Sequence, residues 1–266
     1  MKNLNVVKFI IPFMLLASCS IYRIVPVNFE KYQLVYEREF NSPDDLIGWQ
    51  ARNNVQYNQN RVLFMDSLIS FLPSGGMELK SVYQPGKTTS WQGEFEYDFI
   101  GAMVQSWSND PYWNANTVFD GNCIIEFDCQ PSVDSWCAAW VLQVPYRVVG
   151  YNKSWITPEI DVMENNGGKI DFCVHWGRSS DESIYNTQSK VRTIHKPDGK
   201  RHKYAVEFLS DGYKLYLDGK LVKNWHSDDP GFTHDGEKFI ILNNASDSRF
   251  TQKTTGFIIY SVKVYK

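Results

Sequence analysis

From about Leu34 onward, apolar and polar residues alternate in short runs with a period of two. Cys123, Ile125, Phe127 and Cys129 interleave with Glu126, Asp128 and Gln130. Tyr204, Val206 and Phe208 follow the same rule, and Ile258, Tyr260, Val262 and Val264 make the last run. Side chains two apart share one face of a strand, so each run predicts a half-buried strand. Asp211-Gly212 and Asp218-Gly219 lie between such runs and predict hairpin turns. No ten-residue helical pattern, repeat or low-complexity tract appears beyond the N-terminal segment. Many short strands with frequent turns predict an all-β sandwich of two antiparallel sheets. A chain of 266 residues holds one large domain of that kind, and no second domain is required.

One run breaks the alternation in an informative way. Glu159-Ile160-Asp161-Val162-Met163-Glu164 places three acids in an apolar, strand-forming stretch. In a regular strand Glu159 and Asp161 share a face and Glu164 points the other way. A β-bulge at Val162 or Met163 returns Glu164 to the face of the other two. Three acids on one side of one strand repel each other. That is a poor way to build a stable sheet and a good way to split two pKa values. Two carboxyls about 5–5.5 Å apart match retaining glycoside hydrolysis, one as nucleophile and one as acid and base. Glu159 and Glu164 are the candidates for that pair. Asp161, between them, holds a proton or a hydrogen bond that keeps the two in different protonation states. The plain alternatives are a solvent-facing acidic strand and a calcium loop. Ile160, Val162 and Met163 argue against both, since a calcium loop favours Gly, Asn and a less β-prone backbone.

The string Pro158-Glu159-Ile160-Asp161-Val162-Met163-Glu164 resembles the bulged E-x-D-x-x-E signature of glycoside hydrolase family 16. That family includes laminarinases, mixed-linkage β-glucanases, agarases, porphyranases and κ-carrageenases. Further similarities run in order along residues 119–266. Ser135 to Leu142 resembles the W-P-A-x-W-L-L strand, and Phe119-Asp120-Gly121 resembles the entry to the strand before it. Tyr204 to Phe208 with Tyr216 to Gly219 resembles a Y-x-I-E-W…Y-V-D-G hairpin. Ile240 to Asn243 resembles L-I-L-N, and Ile259 to Tyr265 resembles the closing strand. The resemblance implies a concanavalin-like β-jelly roll with a concave cleft. It implies Glu159 as nucleophile, Asp161 as its helper and Glu164 as general acid/base, with no cofactor required; a structural calcium is not readable from these residues. It also implies that His175, in His175-Trp176-Gly177, lies in the cleft and hydrogen-bonds substrate or an acid. Trp136 and Trp140, at i and i+4, share the cleft-lining face of their strand. Departures bear on substrate: Trp155-Ile156-Thr157-Pro158 replaces the usual W-P-x-x-G, Cys137 replaces a proline, and Ile124 and Glu126 replace Glu and Arg.

Composition adds a ligand class and removes another. A net charge of −3 does not suggest a nucleic-acid partner. The 9 Trp, 15 Tyr and 16 Phe suit a saccharide, because exposed aromatics stack on sugar faces, although most belong in the sandwich core. Ser106 to Asn116 and Val144 to Pro158 read as rim loops, which makes Trp107, Trp113 and Trp155 candidate sugar platforms. Arg147, Lys153 and Arg178 are candidate contacts for sulfate groups. A monomer is expected, with a polysaccharide as its partner.

Lys2 and Lys8 precede a short apolar stretch, Phe9 to Ala17, and Leu16-Ala17-Ser18-Cys19 resembles a bacterial lipobox. Residues 1–18 are therefore expected to be a lipoprotein signal peptide, 19–33 a lipidated tether starting at Cys19, and 34–266 the sandwich domain. Ser20 follows without a retention aspartate, so a lipid anchor in the outer membrane or at the cell surface of a Gram-negative bacterium is expected. Cys123, Cys129, Cys137 and Cys173 remain; a Cys123–Cys129 bridge along one strand spans roughly 20 Å and is disfavoured. No C-x-x-C pair exists, so no residue is read as a metal ligand. Two rivals to a hydrolase remain open: a non-catalytic carbohydrate-binding lipoprotein of the same fold, and a polysaccharide lyase. The first has little need of three aligned acids. The second needs a Tyr, His or Lys base rather than a carboxylate trio.

Overall fold

The computed structural model describes residues 31–57, 61–90, 93–108, 115–144, 158–178, 186–229, 232, 236–251 and 253–266. The strands are β1 (Leu34–Glu39), β2 (Gln50–Ala51), β3 (Val55–Tyr57), β4 (Val62–Phe64), β5 (Ile69–Phe71), β6 (Met77–Ser90), β7 (Gly93–Gln105), β8 (Ile124–Gln130) and β9 (Trp136–Val144). They continue as β10 (Glu159–Asn165), β11 (Ile170–Arg178), β12 (Asn186–His195), β13 (His202–Leu209), β14 (Gly212–Leu217), β15 (Lys220–His226), β16 (Glu237–Ala245) and β17 (Thr254–Tyr265). Helical structure among the described residues is confined to short 3-10 turns such as Pro43–Leu46.

The strands form a β-jelly roll of two packed layers. The front sheet runs β12-β11-β10-β9-β16-β7-β2, all antiparallel. The back sheet runs β15-β14-β13-β8-β17, with β1 and β6 along the far edge of β17. Strand β7 joins the layers: its first part pairs with β6 and its last four residues pair with β16. The crossing point is Gly101, where a Cβ would lie 2.5 Å from the Asn244 carbonyl oxygen, so only glycine admits the close approach. Both predicted hairpins are present: the β13–β14 loop is Ser210-Asp211, with Gly212 already paired to Leu209, and the β14–β15 loop is Asp218-Gly219. Asp218 and Gly219 both take positive φ, 48° and 72°, as a two-residue hairpin loop requires.

Ile160, Val162, Met163, Phe172, Val174, Val141 and Leu242 of the front sheet meet Ile125, Phe127, Tyr204, Val206, Phe208, Val262 and Val264 of the back sheet in one core. Each fully buried large side chain of this kind contributes about 1.5–3 kcal/mol relative to exposure. Cys123, Cys129, Cys137 and Cys173 are all buried free thiols.

Two expectations need correction. The last strand does not alternate strictly: its register slips by one residue between Ile259 and Ser261. Phe257 and Ile259 therefore join Val262 and Val264 in the core, while Ile258 and Tyr260 lie on the other face, half-buried. Strand β8 is buried on both faces rather than one. Tyr32, Tyr216 and Ala205 cover Ile124, and Arg201 and Lys203 reach over Asp128 and Glu126. A central strand under long neighbouring side chains loses its exposed face whatever its own pattern says.

Candidate active site

The site is built by a one-residue bulge at the middle of the front sheet. Against β11, Asp161 pairs with Cys173 and Glu164 with Asp171, so three steps on β10 match two on its neighbour. Against β9, Asp161 pairs with Trp140 and Met163 with Ala139, which places the extra residue at Val162. The bulge lets Val162 and Met163, adjacent in sequence, both enter the core at 0% exposure. Glu159, Asp161 and Glu164 consequently all face the other side, where they line a cavity of about 240 Å³. Trp136, Ala138, Trp140 and Leu142 of β9, Asn243 of β16, Met103 and Phe64 complete its lining. Apolar walls around acids are what the physics of a raised carboxyl pKa requires.

Each acid has a distinct set of neighbours. The Trp136 indole N–H donates to Glu164 Oε1 at 2.6 Å. Asp161, 5% exposed, sits 3.2 Å through Oδ2 from His175 Nε2. The other ring nitrogen, His175 Nδ1, is 2.7 Å from Ser189 Oγ, which orients the imidazole. Hydrogen bonds to Asp161 and then to Cys173 raise His175 to about 11, so it is an imidazolium at neutral pH and neutralises Asp161. Burial first, and the Asp161 charge second, raise Glu159 to about 8. The same two causes raise Glu164 to about 7, and the Trp136 hydrogen bond opposes them. Both carboxyls therefore titrate in the neutral range rather than in the usual carboxylate range.

The geometry places the sequence candidates as follows. Glu159, Asp161, Glu164, Trp136 and Trp140 come together in one cavity, and His175 joins them through Asp161. Both tryptophans are oriented in the cavity wall by hydrogen bonds of their indole N–H groups. Trp136 is tied to Glu164, and Trp140 donates to Asn243 Oδ1 at 2.8 Å. Trp107 packs on Phe239 at a ring distance of 5.2 Å. Trp113, Trp155, Arg147, Lys153 and Cys19 lie outside the described residues, as does the Arg178 side chain.

Three neighbours went unnoticed as site residues in the sequence. Asn243 lines the cavity with its Nδ2 lacking a hydrogen-bond partner among the described residues. Asp171, opposite Glu164, has an equally unpartnered buried Oδ1. Cys173 stands opposite Asp161, with Sγ 3.1 Å from His175 Nε2. For Asp171 and Cys173 the signal was present: Asp171-Phe172-Cys173-Val174-His175 alternates polar with apolar, so one strand face carries Asp, Cys and His.

No protein-family model and no curated protein matches the chain. Solved structures do match it. A mutant of SCLam, a non-specific endo-β-1,3(4)-glucanase from family GH16, superposes with a TM-score of 0.69 at 16% identity, over 91% of this chain and 97% of that one. The catalytic domain of an endo-1,3-β-glucanase (laminarinase) from Thermotoga petrophila gives 0.65 at 19% identity, over 88% and 98%. A structure from work on endo-acting O-glycanases of the human gut microbiota that initiate mucin breakdown gives 0.66 at 18%, over 88% and 91%. The chain thus has, over nearly its whole described length, the β-jelly-roll fold of solved family 16 β-glucanases.

Proposed function

We propose that this chain is a glycosidase of the family 16 type, an endo-acting retaining hydrolase of a polysaccharide with internal β-linkages. The observation that carries the reading is the Val162 bulge, which turns three acids into one tryptophan-walled cavity. Glu159 attacks the anomeric carbon and forms a glycosyl-enzyme intermediate. Glu164 protonates the departing oxygen, then takes a proton from the water that releases the sugar. Asp161, neutralised by His175, hydrogen-bonds within the pair without adding a full negative charge to it.

Burial raises both glutamates into the neutral range, so either can carry a proton there. Positive charge developing at the anomeric carbon favours an ionised Glu159, and a glycosidic oxygen at Glu164 favours a proton there. The transition state therefore favours a carboxylate at Glu159 and a proton on Glu164.

β-Glucan is the first substrate class to test, because structures of β-1,3- and β-1,3(4)-glucanases share this fold at high coverage. Marine β-galactan is the second. The N-terminal Leu16-Ala17-Ser18-Cys19 supports a lipid anchor at Cys19 and a place on the outer membrane or cell surface. Acylation at Cys19 is checked by mass spectrometry of the membrane fraction beside Cys19→Ala, which should lose both the lipid and the membrane association.

The test of the hydrolase is reducing-sugar release from laminarin, lichenan, agarose, porphyran and carrageenan, with Glu159→Gln beside the natural sequence. Release on one polysaccharide, absent in the variant, supports the reading, and NMR of the first-formed anomer reads retention directly. Equal release by the variant overturns the acid assignment. Binding without release on every glycan turns the reading into a lectin.

A further inference from the structure

In the hydrolytic reading Cys173 acts only through its contact with His175. Phe172 and Val174 belong to the core, so Cys173 faces the cleft side of β11 with His175. The other three described cysteines, Cys123, Cys129 and Cys137, all lie in the core instead. Cys173 Sγ, His175 Nε2 and an Asp161 carboxylate oxygen all lie within 4.8 Å of one another. The Sγ–Nε2 distance is 3.1 Å and the Nε2–Oδ2 distance 3.2 Å.

Around a tetrahedral zinc-class ion with bonds of about 2.0–2.3 Å, donor atoms stand about 3.3–3.7 Å apart. The two separations from His175 Nε2 need only a few tenths of an ångström of side-chain movement to meet this, and the Cys173–Asp161 separation lies within 4.8 Å. Thiolate, imidazole and carboxylate together suit zinc rather than the oxygen-seeking calcium or magnesium. Ser189 at His175 Nδ1 supplies the supporting hydrogen bond that orients a ligating imidazole. The His175 side chain is 31% exposed, which gives an ion its way in. Three donors leave one position open; Glu159, the cross-strand partner of His175, stands beside the site but outside the donors within 4.8 Å of one another, so it reaches an ion only by a side-chain movement.

We propose that Asp161, Cys173 and His175 bind a zinc-class divalent cation, and that its occupancy switches off hydrolysis in the cleft. Binding releases the Cys173 thiol proton and the His175 Nε2 proton to solvent. Asp161 exchanges its hydrogen bond from His175 for a bond to the metal. A Glu159 carboxylate drawn to the ion is no longer a free nucleophile. The metal site stands on its own geometry; the switch rests on the hydrolase reading above.

The experiment uses the full chain after chelator treatment. Cd2+ titration followed by its ultraviolet thiolate charge-transfer band, with Zn2+ calorimetry beside it, should show one equivalent bound. Cys173→Ser should lose the band and weaken Zn2+ binding by more than about 10-fold, since loss of even a supporting residue costs 10-fold or more. Its hydrolysis in chelator-treated protein, whatever its new level, should no longer fall when Zn2+ is added. His175→Gln, checked for folding by circular dichroism, should lose Zn2+ binding as well. Absence of the band, or the same band in Cys173→Ser, overturns the metal site. Zn2+ binding that leaves hydrolysis untouched overturns the switch. If no polysaccharide is turned over, the hydrolase reading fails, and the Cd2+ band still decides the metal site.

Discussion

Glu207 on the back sheet and Glu159 on the front sheet are both shielded strand carboxylates, and the protein treats them in opposite ways. Burial pushes Glu207 up, but hydrogen bonds from Tyr216, Tyr32 and Lys214 outweigh it and hold the group below its usual range. Tyr32 donates at 2.6 Å and the Lys214 ammonium at 3.1 Å, and the Tyr216 hydroxyl makes a further short contact. Other back-sheet acids are paired alike: Asp128 takes two hydrogen bonds from Arg201 at 2.6 and 2.8 Å, and Glu37 meets Lys263 at 2.7 Å. On the front sheet, no described Lys or Arg is found in contact with Glu159, and burial and Asp161 raise it. A paired acid holds a sheet together. An acid left to its desolvation holds a proton near neutral pH, which is what proton-transfer chemistry needs.

The comparison breaks most visibly in turnover. Glu159→Gln and Glu164→Gln are each expected to lower kcat/KM by at least about 10³-fold, measured by reducing-sugar release on the polysaccharide the natural sequence cleaves. Glu207→Gln should leave kcat/KM near its original value at a temperature where the variant is folded. Equal losses on the two sheets would end the distinction. His175→Gln removes the cation facing Asp161 and should cost about 10–100-fold, the worth of one charge-assisted hydrogen bond.

Stability should respond with opposite signs. Glu159 has a raised folded pKa, so the natural protein loses stability as pH climbs from about 4.5, the ordinary glutamate value, to about 8. Glu159→Gln escapes that loss, and its melting temperature relative to the natural sequence should rise across this window and level off above it. Glu207 is depressed, so its contribution is present above the ordinary glutamate range and disappears as pH falls through the folded value. Glu207→Gln should therefore cost about 1–3 kcal/mol at pH 7, with the deficit shrinking in acid. Each kcal/mol corresponds to about 2–4 °C in a domain of this size. Thermal melts at five pH values read both curves.

The pH dependence of turnover is a finer test. In chelator-treated protein, kcat/KM should follow a bell with both limbs above the usual carboxylate range, near about 7 and about 8, to which burial raises Glu164 and Glu159. Activity falls on the acid side as a second proton binds and on the alkaline side as the last one leaves. The smallest expected effect is at Asp171, whose charge adds to the rise of Glu164. Asp171→Asn should move the acid limb downward by less than about one pH unit.

Much of this was legible from local pattern. The E-x-D-x-x-E spacing could place three acids on one face only through a bulge, and the register of β10 against β9 shows that bulge at Val162. The same reasoning missed the equivalent slip at Tyr260, because no acids there marked the broken alternation and a tyrosine fits either face. There the displaced ring stacks under Arg201, with the guanidinium 3.8 Å from its centroid, and accepts no role in a cavity. The partners of the acids were not legible. Trp136 reaches Glu164 over 28 residues, and Trp140 meets Asn243 over 103.

The sequence by itself determined the all-β class, the hairpin turns and the acidic face of β10, since strand periodicity and turn chemistry act over two to six neighbouring residues. Tertiary structure alone decided which glutamate receives an indole hydrogen bond, that His175 neutralises Asp161, that Cys173 stands beside both, and that β8 is covered on both faces. Those outcomes depend on register between strands distant along the chain. A shift of one residue exchanges every contact while leaving each strand's own pattern unchanged.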